Sequence, residues 1–156
     1  MTPFLDTLAA GGVRLDSYYS NHICTPARAS LMTGRDSFLT GMQFHELSSP
    51  EPWGLPLDEA TLANRFQAAG YATHIVGKWN LGMFSDDYYP FNRGFETFLG
   101  FLGARETYYK HSWGSYSDFG FGDAEGYINS TSNTTRWGPE LKGSYSTTVT
   151  AERAIQ

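Results

Sequence analysis

Cys24-Thr25-Pro26-Ala27-Arg28-Ala29-Ser30-Leu31-Met32-Thr33-Gly34-Arg35 is the stretch on which the reading of this chain turns. Proline suits the first helical position, because the N–H it lacks would have no helical partner there. Pro26 therefore predicts a helix start. Nothing from Ala27 to Thr33 breaks a helix, and Gly34 suits the left-handed position beyond a helix end. Cys24, the only cysteine in 156 residues, then lies at the mouth of a helix N-terminus, where free N–H groups and the dipole favour an anion. Arg28 follows one turn later and adds a fixed positive charge. A lone cysteine is ordinarily a small buried hydrophobe. The proline and arginine at these offsets favour the anion-facing alternative.

The flanks supply the fold class. Val13, Leu15, Ser17 and Tyr19 alternate with Arg14, Asp16 and Tyr18, which predicts a strand ahead of the cysteine. Cys24 would then follow a strand and open a helix, the position at which open α/β sheets put their ligand sites. Further upstream, Thr2 and Pro3 predict a helix to Gly11-Gly12, with Phe4, Leu5 and Leu8 on a buried face. Downstream, residues 36–56 read as a long loop, a common carrier of function. Asp58 then caps a helix through Leu62, Ala63, Phe66 and Ala69, stopped by Gly70, and Tyr71 to Val76 reads as a buried strand. Residues 83–94 form a loop, 95–102 an aromatic strand, and Thr150 the N-cap of a last helix. Residues 103–143 show no dependable period. The alternation predicts an α/β fold with a partly parallel sheet flanked by helices.

Composition narrows the partners. The net charge of −5 leaves no basic field for nucleic acid or an anionic membrane. No apolar run approaches the roughly 18 residues of a membrane span. Two glycosylation sequons, Asn129-Ser130-Thr131 and Asn133-Thr134-Thr135, favour a secretory route, lysosomal or extracellular. Met1-Thr2-Pro3-Phe4-Leu5 shows no signal-peptide pattern, so that segment is expected to be absent or to lie outside this sequence. His22, His45, His74 and His111 have no metal-ligand spacing. Asp86-Asp87 reads as loop solvation or a pocket rim.

Cys24-x-Pro-x-Arg28 and Gly77-Lys78-Trp79-Asn80-Leu81-Gly82 resemble, in order and spacing, two signature segments of the sulfatases. Thr2-Pro3-Phe4-Leu5-Asp6, Gly70-Tyr71-Ala72-Thr73 and Arg93-Gly94-Phe95-Glu96-Thr97 extend the likeness over nearly the whole chain. Thr40-Gly41-Met42-Gln43 and Tyr145-Ser146-Thr147 make it most similar to the arylsulfatase B (N-acetylgalactosamine-4-sulfatase) type.

The resemblance implies an alkaline-phosphatase-like α/β fold, of which residues 1–156 are the N-terminal part. It implies sulfate-ester hydrolysis on sulfated sugars of glycosaminoglycan type. Cys24 is implied to be oxidised to formylglycine by a formylglycine-generating enzyme. A hydroxyl of the hydrated aldehyde attacks sulfur, and the second hydroxyl lets the covalent sulfate leave, which splits one hard step into two. Calcium is the implied metal, with the residue derived from Cys24 among its contacts. Arg28 supports the nucleophile, and Lys78 contacts both nucleophile and sulfate.

Asn80 stands where the family has a histidine; it can donate a hydrogen bond but cannot titrate. The family's paired N-terminal aspartates precede the point matching Thr2. Its Asp-Asn metal pair, general-acid histidine and second lysine fall beyond Gln156. These 156 residues are therefore expected to be inactive alone. A non-hydrolysing relative and a phosphoester or phosphonate hydrolase of the same superfamily are the alternatives.

Overall fold

The computed structural model describes residues 2–48, 51–117, 119–123, 126–129, 141 and 143–156. Among these residues there are four α-helices: α1 (Pro3–Gly11), α2 (Cys24–Thr33), α3 (Leu62–Ala68) and α4 (Ser146–Ile155). The strands are β1 (His74–Lys78), β2 (Thr97–Phe101), β3 (Ser112–Trp113), β4 (Tyr116–Ser117), β5 (Phe119–Asp123) and β6 (Gly126–Asn129). One sheet runs β1-β2-β5-β6, and β3 pairs with β4 in a small separate hairpin. β1 and β2 are parallel, with His74 opposite Thr97 and Lys78 opposite Phe101, while β5 and β6 join antiparallel. The sheet is thus mixed, as the sequence predicts.

α2 forms where expected, but it starts at Cys24, so Pro26 is its third residue rather than its first. This costs no hydrogen bond, because the first four N–H groups of a helix have no intrahelical acceptor. Gly34 ends it at φ 68°, its N–H donating to Ser30 O at 2.9 Å. Thr25, Ala29 and Met32, spaced for one helical face, are buried. They meet a core of Met42, Leu47, Leu55, Ala63, Trp79, Leu81, Phe95, Phe98 and Leu102. Trp79 anchors that core: it is fully buried, its indole N–H donates to Tyr88 O at 2.8 Å, and its ring meets Phe95 edge-on.

Five sequence expectations need correction. The strand read as buried over Tyr71 to Val76 is β1, shifted to His74–Lys78 at the sheet edge, with Tyr71 and His74 exposed. α1 forms, yet Phe4, Leu5 and Leu8 are exposed, because no described element packs on them. Residues 13–19 are exposed and not a strand: alternation describes a half-buried strand only when a sheet neighbour covers one face. α3 is capped by Thr61, not Asp58. Its hydroxyl accepts from Asn64 N at 3.3 Å and Asn64 Oδ1 accepts from Thr61 N at 2.9 Å, a closed capping box. α4 begins at Ser146, so Thr150 lies inside it, bonding back to Ser146 O at 2.9 Å.

A row of glycines crosses the sheet, with Gly77 opposite Gly100 and Gly100 opposite Gly120. A Cβ on Gly100, whose φ is 157°, would overlap the carbonyl of Gly77. The two backbones approach as closely as they do because Gly100 carries no side chain; a Cβ on Gly77 would meet open space.

Candidate active site

Cys24 is the first residue of α2 and is partly exposed in a cleft of about 1180 Å³. The cleft is walled by residues 18–24, by Arg28 and Arg35, and by Glu46, Ala104 and Arg105. Three chain segments deliver charge here for separate reasons. Arg28 stands one turn into α2. Lys78 is the last residue of β1, and Arg105 follows closely after β2, so two parallel strands end at the cleft, as open α/β sheets arrange their ligand sites.

Arg28 does not float in solvent. Its Nη1 donates to Lys78 O at 2.6 Å, which ties the first turn of α2 to the end of β1. Burial pulls its pKa below the ordinary arginine value, and the neighbouring Cys24 pushes the other way without reversing this. Arg28 remains a cation in either case.

Lys78 is one step removed from the cleft. Its Nζ, on a side chain only 13% exposed, lies 3.5 Å from Glu46 Oε1, and Arg105 Nη2 lies 3.3 Å from Glu46 Oε2. Both oxygens of Glu46 therefore face a cation. Burial pushes the Glu46 carboxyl up, but the Cys24 thiol within hydrogen-bonding reach, Lys78 and Arg105 outweigh it and hold the pKa below the usual range. Glu46 is ionised at neutral pH, between two cations and beside the cysteine.

Asn80 lies elsewhere. It is 1% exposed and outside the cleft wall, behind the first turn of α2. Its Nδ2 donates to Leu47 O at 2.9 Å, and its Oδ1 accepts from the Thr25 hydroxyl at 3.0 Å. That hydroxyl in turn accepts from Leu47 N at 2.8 Å. The closed triangle fastens residue 25, next to Cys24, to the loop that carries Glu46.

Cys24 and Arg28 thus meet in one cleft, Lys78 reaches it through Glu46, and Asn80 supports it from behind. Glu46 and Arg105 were missed by sequence reasoning. A signal existed for each. Glu46 is the one acidic residue between Asp36 and Glu51 in the aperiodic loop, and Arg105 lies just past the carboxyl end of an aromatic strand. Asp86 and Asp87 form a 3-10 turn away from the cleft wall, and His22 lines it. Asn129 ends β6; Asn133 lies outside the described residues.

The sulfatase family model matches residues 1–156. The chain belongs to the sulfatase family. Among curated sulfatase relatives, it is 47% identical to arylsulfatase J of Mus musculus over 110 residues, 70% of this chain and 18% of that protein. It is 46% identical to arylsulfatase A of Homo sapiens over 101 residues, 64% of this chain and 20% of that protein. The chain therefore spans about a fifth of the length of these relatives. Among solved structures, Ps i-CgsB superposes with a TM-score of 0.76 at 25% identity, over 99% of this chain and 35% of that one. The PsFucS1 sulfatase from Pseudoalteromonas sp. gives 0.58 at 32% identity, over 70% of this chain and 22% of that one. The sulfatase neighbours carry the alkaline-phosphatase-like fold, with the mixed, helix-flanked sheet described above.

Proposed function

We propose that the chain forms the nucleophile-bearing part of a sulfuric ester hydrolase acting on sulfated sugars, with Cys24 converted to formylglycine by a formylglycine-generating enzyme. The observation that carries this reading is Cys24 opening α2 inside a cleft lined by Arg28 and Arg105, with Lys78 behind it through Glu46. The modified residue would supply an oxygen nucleophile and a second hydroxyl through which sulfate leaves. The rest belongs to the chain's own side chains. Arg28, held by Lys78 O, keeps the helix mouth and the strand end at fixed separation. The helix N-terminus and the cations favour negative charge on the non-bridging oxygens, in place and without reorganisation.

The described residues do not by themselves make a calcium shell. Calcium takes 6–8 oxygen ligands, whereas the carboxylates lining this cleft are Glu46, already paired with two cations, and Asp36, which accepts from Phe38 N at 2.9 Å. Among the described residues no group of three or more His, Cys, Asp or Glu could hold a metal.

Passage through the secretory route, with glycans at Asn129 and Asn133, belongs to the same reading; among the described residues no helix is long and apolar enough to cross a membrane. Mass spectrometry of the tryptic peptide 15–28 from protein made in a secreting eukaryotic cell tests it. Formylglycine is lighter than cysteine, and its hydrazone-reactive aldehyde gives a second readout. Finding unmodified Cys24 throughout would overturn the hydrolase and leave an anion-binding relative.

A further inference from the structure

We propose that Glu46 is a specificity-determining residue that biases this cleft towards singly charged sulfate esters and against doubly charged phosphate monoesters. The inference rests on reading the cleft as a sulfate-ester site. Its basis is a charge count at fixed positions. Arg28, Lys78 and Arg105 bring three positive charges to the neighbourhood of Cys24, while the other charged residues lining the cleft are engaged locally, Arg35 with Glu59 and Asp36 with Phe38 N. Glu46 removes one of them in net terms, because its two oxygens face Lys78 and Arg105 at 3.5 and 3.3 Å.

A sulfate monoester carries one negative charge at every accessible pH. A phosphate monoester carries nearly two above its second pKa of about 6. The two anions share a tetrahedral shape, so shape and hydrogen-bond donors discriminate poorly between them. A fixed carboxylate discriminates by charge: it repels the dianion twice as strongly as the monoanion. It also occupies the cations that a second phosphate charge would otherwise engage. The low exposure of both partners, 13% for the Lys78 side chain and 14% for that of Glu46, keeps solvent from screening the effect away.

Glu46 touches no reacting atom in this account; it acts on the substrate through Lys78, Arg105 and the field at Cys24. The test is a binding ratio, which a merely structural role would not move. Methyl sulfate and methyl phosphate are titrated at pH 8 into the protein with Cys24 unmodified, by calorimetry and by NMR shifts of cleft residues. The wild type is expected to bind methyl sulfate at least as tightly as methyl phosphate. Glu46→Gln is expected to move the ratio about tenfold towards methyl phosphate, and Glu46→Asp to restore the wild-type ratio.

A ratio unchanged within about twofold in Glu46→Gln would overturn the proposal while leaving the sulfate-ester reading standing. Should Glu46→Gln fail to fold, the wild type alone decides, since a clear wild-type preference for methyl phosphate also overturns it. If neither ester shifts cleft residues, the sulfate-ester reading itself falls, and this inference with it.

Discussion

Asn80 combines a left-handed backbone, φ 57°, with burial to 1% exposure, and both conditions restrict what can replace it. Asparagine tolerates that conformation better than most residues. Asn80→Ala would leave the buried Leu47 carbonyl without its side-chain donor, whereas the Thr25 hydroxyl could still reach the residue-80 carbonyl at 3.3 Å. The expected loss is about 2 kcal/mol, read as a lowered urea midpoint at unchanged slope. Asn80→His installs the histidine that the resemblance implies but puts a larger ring into a filled space. It is expected to lower the melting temperature, so any gain in aryl sulfate turnover must be measured per folded molecule. The sequence made the chemistry of Asn80 readable, a donor that cannot titrate. It could not reveal the partners, because Thr25 and Leu47 lie 55 and 33 residues away along the chain. Glu46 escaped for the same reason, since its meaning comes from Lys78 and Arg105, which only the fold brings to it.

At the level of elements, two glycines with positive φ make opposite predictions. Gly34 closes α2 with open space around a notional Cβ, so Gly34→Ala costs only conformational strain, about 1 kcal/mol. Gly100 faces the Gly77 backbone, so Gly100→Ala must push β1 and β2 apart. Its expected cost is about 3 kcal/mol or more, seen as a collapse of the thermal transition next to a modest shift for Gly34→Ala. The same contrast explains what could be read in advance. Helix ends are written locally, in Pro3, Pro26 and Gly34, and the helices they delimit were found. The cap of α3 moved from Asp58 to Thr61 because Thr61 has an acceptor partner in Arg93 O, at 2.7 Å, as well as its box with Asn64. β5 was invisible because Phe119-Gly120-Phe121-Gly122 alternates aromatic with glycine, a residue strands disfavour.

For the whole molecule, acid is the expected weak point. His111 is fully buried, stacks near Phe119 with centroids 4.5 Å apart, and its Nε2–H donates to Ser144 O at 2.8 Å. Burial drives its pKa below the ordinary value of 6.5, and the backbone bonds to Ser144 and Tyr108 only partly offset this. The unfolded chain therefore binds a proton that the folded chain refuses. Stability is full above the unfolded value, falls as the pH drops from 6.5 towards the lower folded value, and levels off below it. Melting temperatures from pH 8 to 5 should fall in that window. In His111→Asn, which keeps a residue tolerant of the observed φ of 53°, the fall should flatten even if the variant is less stable throughout. An equal slope in both proteins would exclude His111 as the cause. The exposed Phe4, Leu5 and Leu8 show the opposite limit of sequence reading. Their helical spacing predicts a buried face that the structure leaves exposed, because a pattern does not say which surface will cover it.

β1 is the outermost strand of its sheet among the described residues, and its free side has a bearing on how the cleft can be completed. Arg28 already satisfies the carbonyl of Lys78, so the last acceptor on that side is taken. A further strand could ladder only along the four residues before it, His74 to Gly77. If it ran parallel to β1, its own carboxyl end would emerge beside Cys24, at the same rim as Lys78 and Arg105. Strand addition at this border would thus do more than widen the sheet. It would choose which new side chains confront the nucleophile, with the Arg28 guanidinium acting as the stop that sets how far they reach.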